Sequence, residues 1–299
     1  MHELTDETEQ LARTIFEQVL ERQRMNPMSL GGIGSSATLE CDLSGSITAA
    51  GLGFDEAMRR WSDTVIPNVI AIDHPRYLAF IPHAPTQASV FIDLFVSAAS
   101  IYAGSWMEAS GAVVAENQAL AWLAGLAGYP KEAGGSFVPG GTLGNLAALH
   151  TARETARDRR RADRPARWQV AVSSESHSSI NQALRVLDMD PIPVPVDDRF
   201  RLTASALEKV LAERKPDGLC AVVASAGSTN AGAIDDLAGI ADLCAELGVW
   251  LHVDGAYGLA ALASETKRAA FAGIERSDSF IVDPHKWLFG PYDSCALLY

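Results

Sequence analysis

The chain has 299 residues, with 37 acidic against 24 basic side chains and a formal net charge of −13. Such an excess of negative charge argues against nucleic acid and against anionic membranes as partners. A hydrophobic content of 48% and a charged content of 20% are those of an ordinary globular protein with ample material for a core.

Four cysteines, Cys41, Cys220, Cys244 and Cys295, are scattered without a CxxC pair. Neither a disulfide framework nor a zinc site is expected, and Cys220 and Cys295 sit in apolar runs where cysteine acts as a small core residue. The N-terminus, Met1-His-Glu-Leu-Thr-Asp-Glu, is acidic and has no apolar signal core. The most apolar long stretch, Ala88 to Ala103, carries Asp93 and is too short to span a bilayer. A reducing cytoplasm is the expected setting. The one basic run, Arg153 to Arg167, is broken by acidic and alanine residues and reads as a solvated helix end and loop.

In chain order, Leu11, Ile15, Phe16, Val19 and Leu20 recur at helical spacing and predict an amphipathic helix from Thr5 to Arg24. Met25 to Gly53 is weakly patterned, rich in Gly and Ser, and reads as an extended arm or loop. Turn-rich segments at Asp73–Arg76 and Ile81–Pro85 lead into an apolar helix beginning near Thr86. Another helix, Val113 to Ala127, is expected to end at Gly128. From Ser136 onward, short β-rich runs alternate with helices. The strands are Ser136–Val138, Trp168–Ser173, Ile192–Val196, Leu219–Ala224, Val249–Val253, Ser279–Val282 and Ala296–Tyr299. Between them come helices from Thr142, His177 and Ala204 and over Asp235–Leu247. Runs such as Cys220–Ala224 are almost continuously apolar, as strands covered on both faces should be. The alternation predicts an α/β fold, a mainly parallel sheet flanked by helices, after an N-terminal helical segment. We place that segment at residues 1–85 and the large domain at 86–299.

In such sheets ligands bind at the carboxyl ends of the strands, and the polar residues of this chain gather there. Gly140-Gly141-Thr142 opens a helix whose free N–H groups and dipole suit a phosphate, although two glycines before a helix also serve as a plain turn. The loop is not a Walker loop, and GxGxxG is absent. His177 follows a strand and can stack on a planar ligand, or simply start a helix. Asp254 ends an apolar strand, where an ionised carboxylate needs a cationic or N–H partner; a protonated pyridine nitrogen would serve, and so would neighbouring backbone N–H groups. Lys286 follows the strand ending at Val282. With an ordinary pKa of about 10.4, lysine is protonated and unreactive at neutral pH, yet it attacks aldehydes when its surroundings free the amine; a solvent-exposed loop lysine is the alternative. Phosphate cradle, stacking ring, carboxylate and lysine together describe pyridoxal 5′-phosphate as cofactor.

The segment SDSFIVDPHKWL, Ser277–Leu288, resembles the Asp-Ser…Pro-His-Lys-Trp signature of the group II pyridoxal-dependent amino-acid decarboxylases. GVWLHVDGAY (Gly248–Tyr257), GGTLGNLAAL (Gly140–Leu149), SSESHSS (Ser173–Ser179) and His74-Pro75-Arg76 are similar to further segments of that family. The likeness runs from about residue 60 to the last. It implies a fold-type-I large domain and decarboxylation of an L-amino acid, with aromatic or bulky side chains favoured. Lys286 would hold the cofactor's aldehyde, Asp254 would partner the ring nitrogen and His177 would stack on the ring. Gly141, Thr142 and His285 would contact the phosphate. Ala256 would pack on the other face of the ring, Thr229 would lie near the ring and its 3′-oxygen, and Pro82 and His83 would line the substrate pocket.

The resemblance also implies a homodimer with the site at the subunit interface. One departure lies in the phosphate loop, where Leu143-Gly144 stands in place of the more usual Ser/Thr-Glu-Ala or Ser. A second lies at Tyr299. Relatives continue through a mobile loop, bearing a tyrosine that protonates the α-carbon, and a small C-terminal domain, so a C-terminally truncated member is expected. Alternatives within reach of the same residues are another fold-type-I carbon–carbon lyase and a cofactor-binding remnant without turnover.

Overall fold

The computed structural model describes residues 3–25, 30–161 and 163–299. The chain divides into two compact units, Met1–Ala79 and Phe80–Tyr299.

In the first unit, helix α1 (Asp6–Arg24) begins at Thr5, whose hydroxyl accepts the N–H of Thr8 while the Thr8 side chain returns the bond, a reciprocal cap. Arg22 forks onto both oxygens of Asp73 at 2.7 and 2.8 Å, tying the end of α1 to the turn that contains His74, Pro75 and Arg76. The stretch expected to be an extended arm contains a two-turn helix, α2 (Ser36–Asp42). It has no side-chain cap and buries none of its residues, so no apolar stripe announces it. Residues 26–29 of that stretch lie outside the described residues. Helix α3 (Phe54–Arg60) runs on through a wider turn at Trp61–Val65.

The second unit opens with α4 (Gln87–Ala98), capped by Thr86 as its position suggested. Helix α5 (Trp106–Leu126) starts earlier than Val113, with a break at Ala109, and ends before Gly128, which takes the left-handed φ of +75°. Seven strands follow: β1 (Gly135–Val138), β2 (Gln169–Ser173), β3 (Asp190–Val194), β4 (Leu219–Ser225), β5 (Trp250–Asp254), β6 (Ser279–Val282) and β7 (Cys295–Leu298). Four helices alternate with them: α6 (Gly140–Arg159), α7 (Ser178–Val186), α8 (Ala204–Arg214) and α9 (Leu237–Leu247).

The strands lie side by side in the order β1-β7-β6-β5-β4-β2-β3. Strands β2 to β6 are mutually parallel and β7 runs antiparallel between β1 and β6. Strand β3 ends the sheet, which is why it tolerates Pro191 and Pro193, residues without an N–H for a further neighbour.

Alternation along β4 divides the core. Val222 and Ala224 join Leu207, Ile240 and Phe280 on one face, while Ala221 and Val223 join Leu149, Ile180 and Leu184 on the other. Strand β5 obeys the same period. Leu251 and Val253 enter the first cluster, so Trp250, His252 and Asp254 face α6 and α7. Helix α6 lies close on the sheet because of Gly144, where a Cβ would meet Cys295 Sγ at 2.8 Å and Ile281 Cγ2 at 2.9 Å. The unusual Gly144 of this loop is therefore a packing residue.

The basic run forms the exposed last turns of α6 and the loop after it, with Arg153 turned inward to the carbonyl of Leu187 at 2.7 Å. All four cysteines are unpaired, and Cys220, Cys244 and Cys295 are buried. Among the described residues no helix is long and apolar enough to cross a membrane.

Candidate active site

The connections reverse at β2, whose neighbours β3 and β4 are reached in opposite directions, and a cavity of about 270 Å³ opens at the carboxyl ends of the strands beside that switch point. Gly141, Thr142, His177, Thr229, Asp254, Ala256, His285 and Lys286, widely separated in sequence, all line it. Pro82 and His83 do not; their neighbour Ile81 does. His83 stands instead in an aromatic cluster with Tyr257, Trp287 and Phe289, its ring centroid 5.6 to 6.4 Å from theirs, and Tyr257 carries that cluster to the cavity wall.

Each group is delivered by an element end. Helix α6 begins after Pro139, which offers no side-chain cap, so the first N–H groups at Gly140 to Thr142 are open to the cavity. Gly140 holds φ at +72°, and a Cβ on Gly141 would approach Asp283 Oδ2 to 3.0 Å. His177 sits at the head of α7 with Nδ1 taking the Ser179 N–H at 3.2 Å, so its ring is held at the rim by its own helix. Asp254 closes β5, and its carboxylate accepts from Asn145 Nδ2 at 3.0 Å and from the Ala256 N–H at 3.2 Å.

Lys286 lies one turn after the end of β6, with Nζ 2.9 Å from Asp283 Oδ2. Asp283 is 2% exposed, and its other oxygen, Oδ1, is buried without a hydrogen-bond partner. His285 is anchored through Nδ1 to the Ser294 backbone and stacks on Tyr292 at 4.7 Å. The loop bearing Thr229 is pinned from below by buried Asp235, which accepts the N–H groups of Ser225 and Leu202 at 2.6 and 2.7 Å. Burial pushes the Asp235 carboxyl up to about 7 against those bonds.

Four buried polar side chains were not singled out by the motifs: Asn145 and Ser179 in the cavity wall, with His252 and Ser279 behind it, none more than 1% exposed. The signal for them is positional. Trp250, His252 and Asp254 share one face of β5, and Asn145 lies one turn into α6, the helix covering that face.

Burial pushes the His252 imidazole down to about 4, against the pull of the Asp254 carboxylate, so the folded chain holds it neutral. Unfolded, it takes a proton near pH 6.5, and between that value and about 4 the unfolded state therefore binds more protons. Stability falls as pH falls through this window. Between pH 7 and pH 5 the wild-type chain is expected to lose about 2 kcal/mol that a His252→Gln variant retains, measured as the pH slope of denaturant unfolding. Equal slopes for the two proteins would mean that the imidazole is not held neutral.

The donor set fits pyridoxal phosphate. Open N–H groups at a helix start suit its phosphate, a lysine amine its aldehyde and a buried carboxylate its ring nitrogen. A mostly parallel sheet that brings lysine, carboxylate, imidazole and helix N-terminus to its strand ends is the architecture of the fold-type-I pyridoxal-phosphate proteins.

The profile of the pyridoxal-dependent decarboxylase conserved domain matches residues 46–299. The chain is 36% identical over 275 residues to the aromatic-L-amino-acid decarboxylase of Bacillus atrophaeus, covering 88% of this chain and 56% of that protein. It is 30% identical over 287 residues to the L-2,4-diaminobutyrate decarboxylase of Acinetobacter baumannii, covering 89% and 56%. The crystal structure of Oryza sativa TDC with PLP and tryptamine superimposes with a TM-score of 0.91 at 25% identity, over 100% of this chain and 64% of that one. This chain belongs to the pyridoxal-dependent decarboxylase family, and it spans a little over half the length of the curated relatives it matches.

Proposed function

We propose that the chain decarboxylates an L-amino acid, preferentially an aromatic one, to the amine and CO₂ with pyridoxal 5′-phosphate as cofactor. The observation that carries this reading is the convergence of Lys286, Asp254, His177 and the open start of α6 on one cavity at the strand ends. When bound, the cofactor supplies an electron sink for the pair left on the α-carbon as CO₂ departs.

The residues take the following parts. Lys286 holds the aldehyde carbon through Nζ, and Asp283, 2.9 Å away, orients that amine while it is free. The N–H groups of Gly141 and Thr142, with His285, bind the phosphate. Asp254 holds a proton at the ring nitrogen, where its carboxylate favours the charged form. His177 and Ala256 would pack against the ring, and Thr229 would lie near its 3′-oxygen. Pro82 and His83 shape the substrate side from behind Ile81. One proton is taken up at the α-carbon for each CO₂ released, which balances the reaction. The cluster of His83, Tyr257, Trp287 and Phe289 favours an apolar, aromatic substrate side chain. We also place the protein in the cytoplasm, in keeping with its unpaired cysteines.

The test is product analysis with the purified chain, cofactor and tryptophan, tyrosine, glutamate or 2,4-diaminobutyrate. Amine and CO₂ are expected, fastest from the aromatic substrates. Aldehyde and glycine from a β-hydroxy amino acid added to the panel would assign a carbon–carbon lyase instead, and bound cofactor without turnover would assign a remnant. Diaminobutyrate as the preferred substrate would overturn the aromatic reading alone.

We infer further that two copies assemble, with the site at their interface. Helix α4 buries none of its residues, and Ile92 and Phe95 on it are 64% and 66% exposed, with Met107 at the start of α5 at 95%. A second copy of this chain is the occupant we propose for so apolar a surface. Light scattering should give a dimer, and Phe95→Glu is expected to weaken it by about 30-fold or more. A monomer at micromolar concentration would end this reading.

A further inference from the structure

The four buried polar side chains, Asn145 and Ser179 in the cavity wall and His252 and Ser279 behind it, form a connected relay in which each hydrogen has one place to go. A carboxylate only accepts, so the amide nitrogen of Asn145 must face Asp254 Oδ2, at 3.0 Å. The second amide hydrogen goes to Ser179 Oγ, also at 3.0 Å. Asn145 Oδ1 then faces His252 Nε2 at 2.9 Å, so that nitrogen carries the ring hydrogen. His252 Nδ1 is left bare and takes the Ser279 hydroxyl hydrogen at 2.9 Å, while the Ser279 oxygen takes the indole N–H of Trp250 at 2.9 Å.

On the other branch, Ser179 turns its hydroxyl hydrogen to His177 Nδ1 at 2.8 Å, which also takes the Ser179 backbone N–H. The hydrogen on His177 is thereby left to Nε2. The relay ends at Asp254 with N–H hydrogens from Asn145 and Ala256 already in place. Both oxygens of that carboxyl group are thereby fixed in orientation at the cavity wall.

Folding alone does not call for this arrangement. Asparagine is a weak helix former, and a buried polar cluster stabilises only when every member is satisfied. Around it Leu149, Ile180, Val223 and Ile281 fill the interior with apolar side chains. The polar members occur where one helix residue can reach both the end of β5 and the head of α7.

We propose that Asn145 is a positioning residue which, with His252 and Ser279 behind it, sets the orientation and hydrogen-bonding state of both Asp254 and His177. The proposal rests on the reading of Asp254 as the partner of the cofactor's ring nitrogen and deepens it. One relay then tunes the groups at the edge and on the face of the ring together.

The experiment measures equilibrium affinities of the 299-residue chain and its variants for pyridoxal 5′-phosphate and for its 1-deaza analogue, which has carbon in place of the ring nitrogen. Thermal unfolding of the same proteins without cofactor controls for folding. For Asn145→Ala and His252→Leu the preference for pyridoxal phosphate over the analogue is expected to fall about tenfold, with affinity for the analogue within about twofold of wild type. His252→Gln is expected to restore part of the preference, since its amide can again donate to Asn145 Oδ1. Ser279→Ala, which removes one hydroxyl, keeps the test open if the larger changes prevent folding, with a fall of about threefold expected. A purely structural relay would lower both affinities equally or neither, and that result overturns the proposal.

Asp254→Asn separates the two levels. If it collapses the preference while the relay variants keep it, the relay alone fails. If Asp254→Asn also leaves the preference unchanged, the ring-nitrogen reading itself falls. Nitrogen-15 spectra of ring-labelled histidine give the direction of the relay independently: His252 is expected as the neutral Nε2–H tautomer, and Nδ1–H or a charged ring would contradict it.

Discussion

Lys286→Ala is expected to abolish turnover, by about 10³-fold or more, and to leave no cofactor fixed to the chain after borohydride reduction. The reason is geometric. Lys286 places its amine in the cavity beside Asp283, and among the residues lining that cavity no other primary amine stands ready to replace it. Wild-type protein treated with borohydride should carry the pyridoxyl group on the peptide containing Lys286, readable by mass spectrometry. The side chain is half-buried at the cavity edge and its loss leaves no apolar void, so any cost to folding should come from Asp283 alone. A Lys286→Ala protein that still decarboxylates, or that is still labelled at the same yield, would remove the central assignment. The ion pair also predicts that Asp283, left buried beside a missing amine, becomes the new liability of the variant.

Asp254→Asn is expected to lower turnover by about 10² to 10³-fold with cofactor saturating, the range seen when one preorganised electrostatic partner is removed from a site. The substitution keeps the shape and removes the charge. It also sets an amide N–H₂ against the hydrogens of Asn145 or of the Ala256 N–H, since one of the two must now face a donor. The competing explanation is that Asp254 serves only to accept the Ala256 N–H at the end of β5. In that case stability would drop while turnover at saturating cofactor stayed within about threefold of wild type. Measuring unfolding and turnover on the same preparation distinguishes the two.

Lys286, Asp254 and His177 are legible in the sequence because each stands at the end of a strand or within one turn after it, and strand ends in a parallel sheet must converge on one edge. Gly140, Gly141 and Thr142 are legible for a related reason, since a helix start can be placed from glycine and periodicity alone. Asn145, Ser179, His252 and Ser279 are not. A histidine in an apolar strand and an asparagine in a helix look like isolated exceptions until the sheet order places β5 beside β6 and lays α6 across both. His83 shows the converse. The family resemblance implied a place at the substrate pocket; the ring packs among Tyr257, Trp287 and Phe289, and Ile81 takes the cavity wall.

By itself the sequence determined the α/β alternation, the near-continuous apolar strands and the roster of groups suited to pyridoxal phosphate. These follow from local periodicity and from residue chemistry, which act over a few neighbouring positions. Tertiary structure decided that the strand at Cys295–Leu298 runs antiparallel, because the period of two in a strand carries no direction. It also decided that Asp283 turns its carboxylate onto Lys286 inside the cavity, and that one asparagine joins Asp254 to His177. Asn145 and Asp254 stand 109 positions apart, and they meet only because α6 is laid across the end of β5. No local pattern along the chain encodes a contact over that separation.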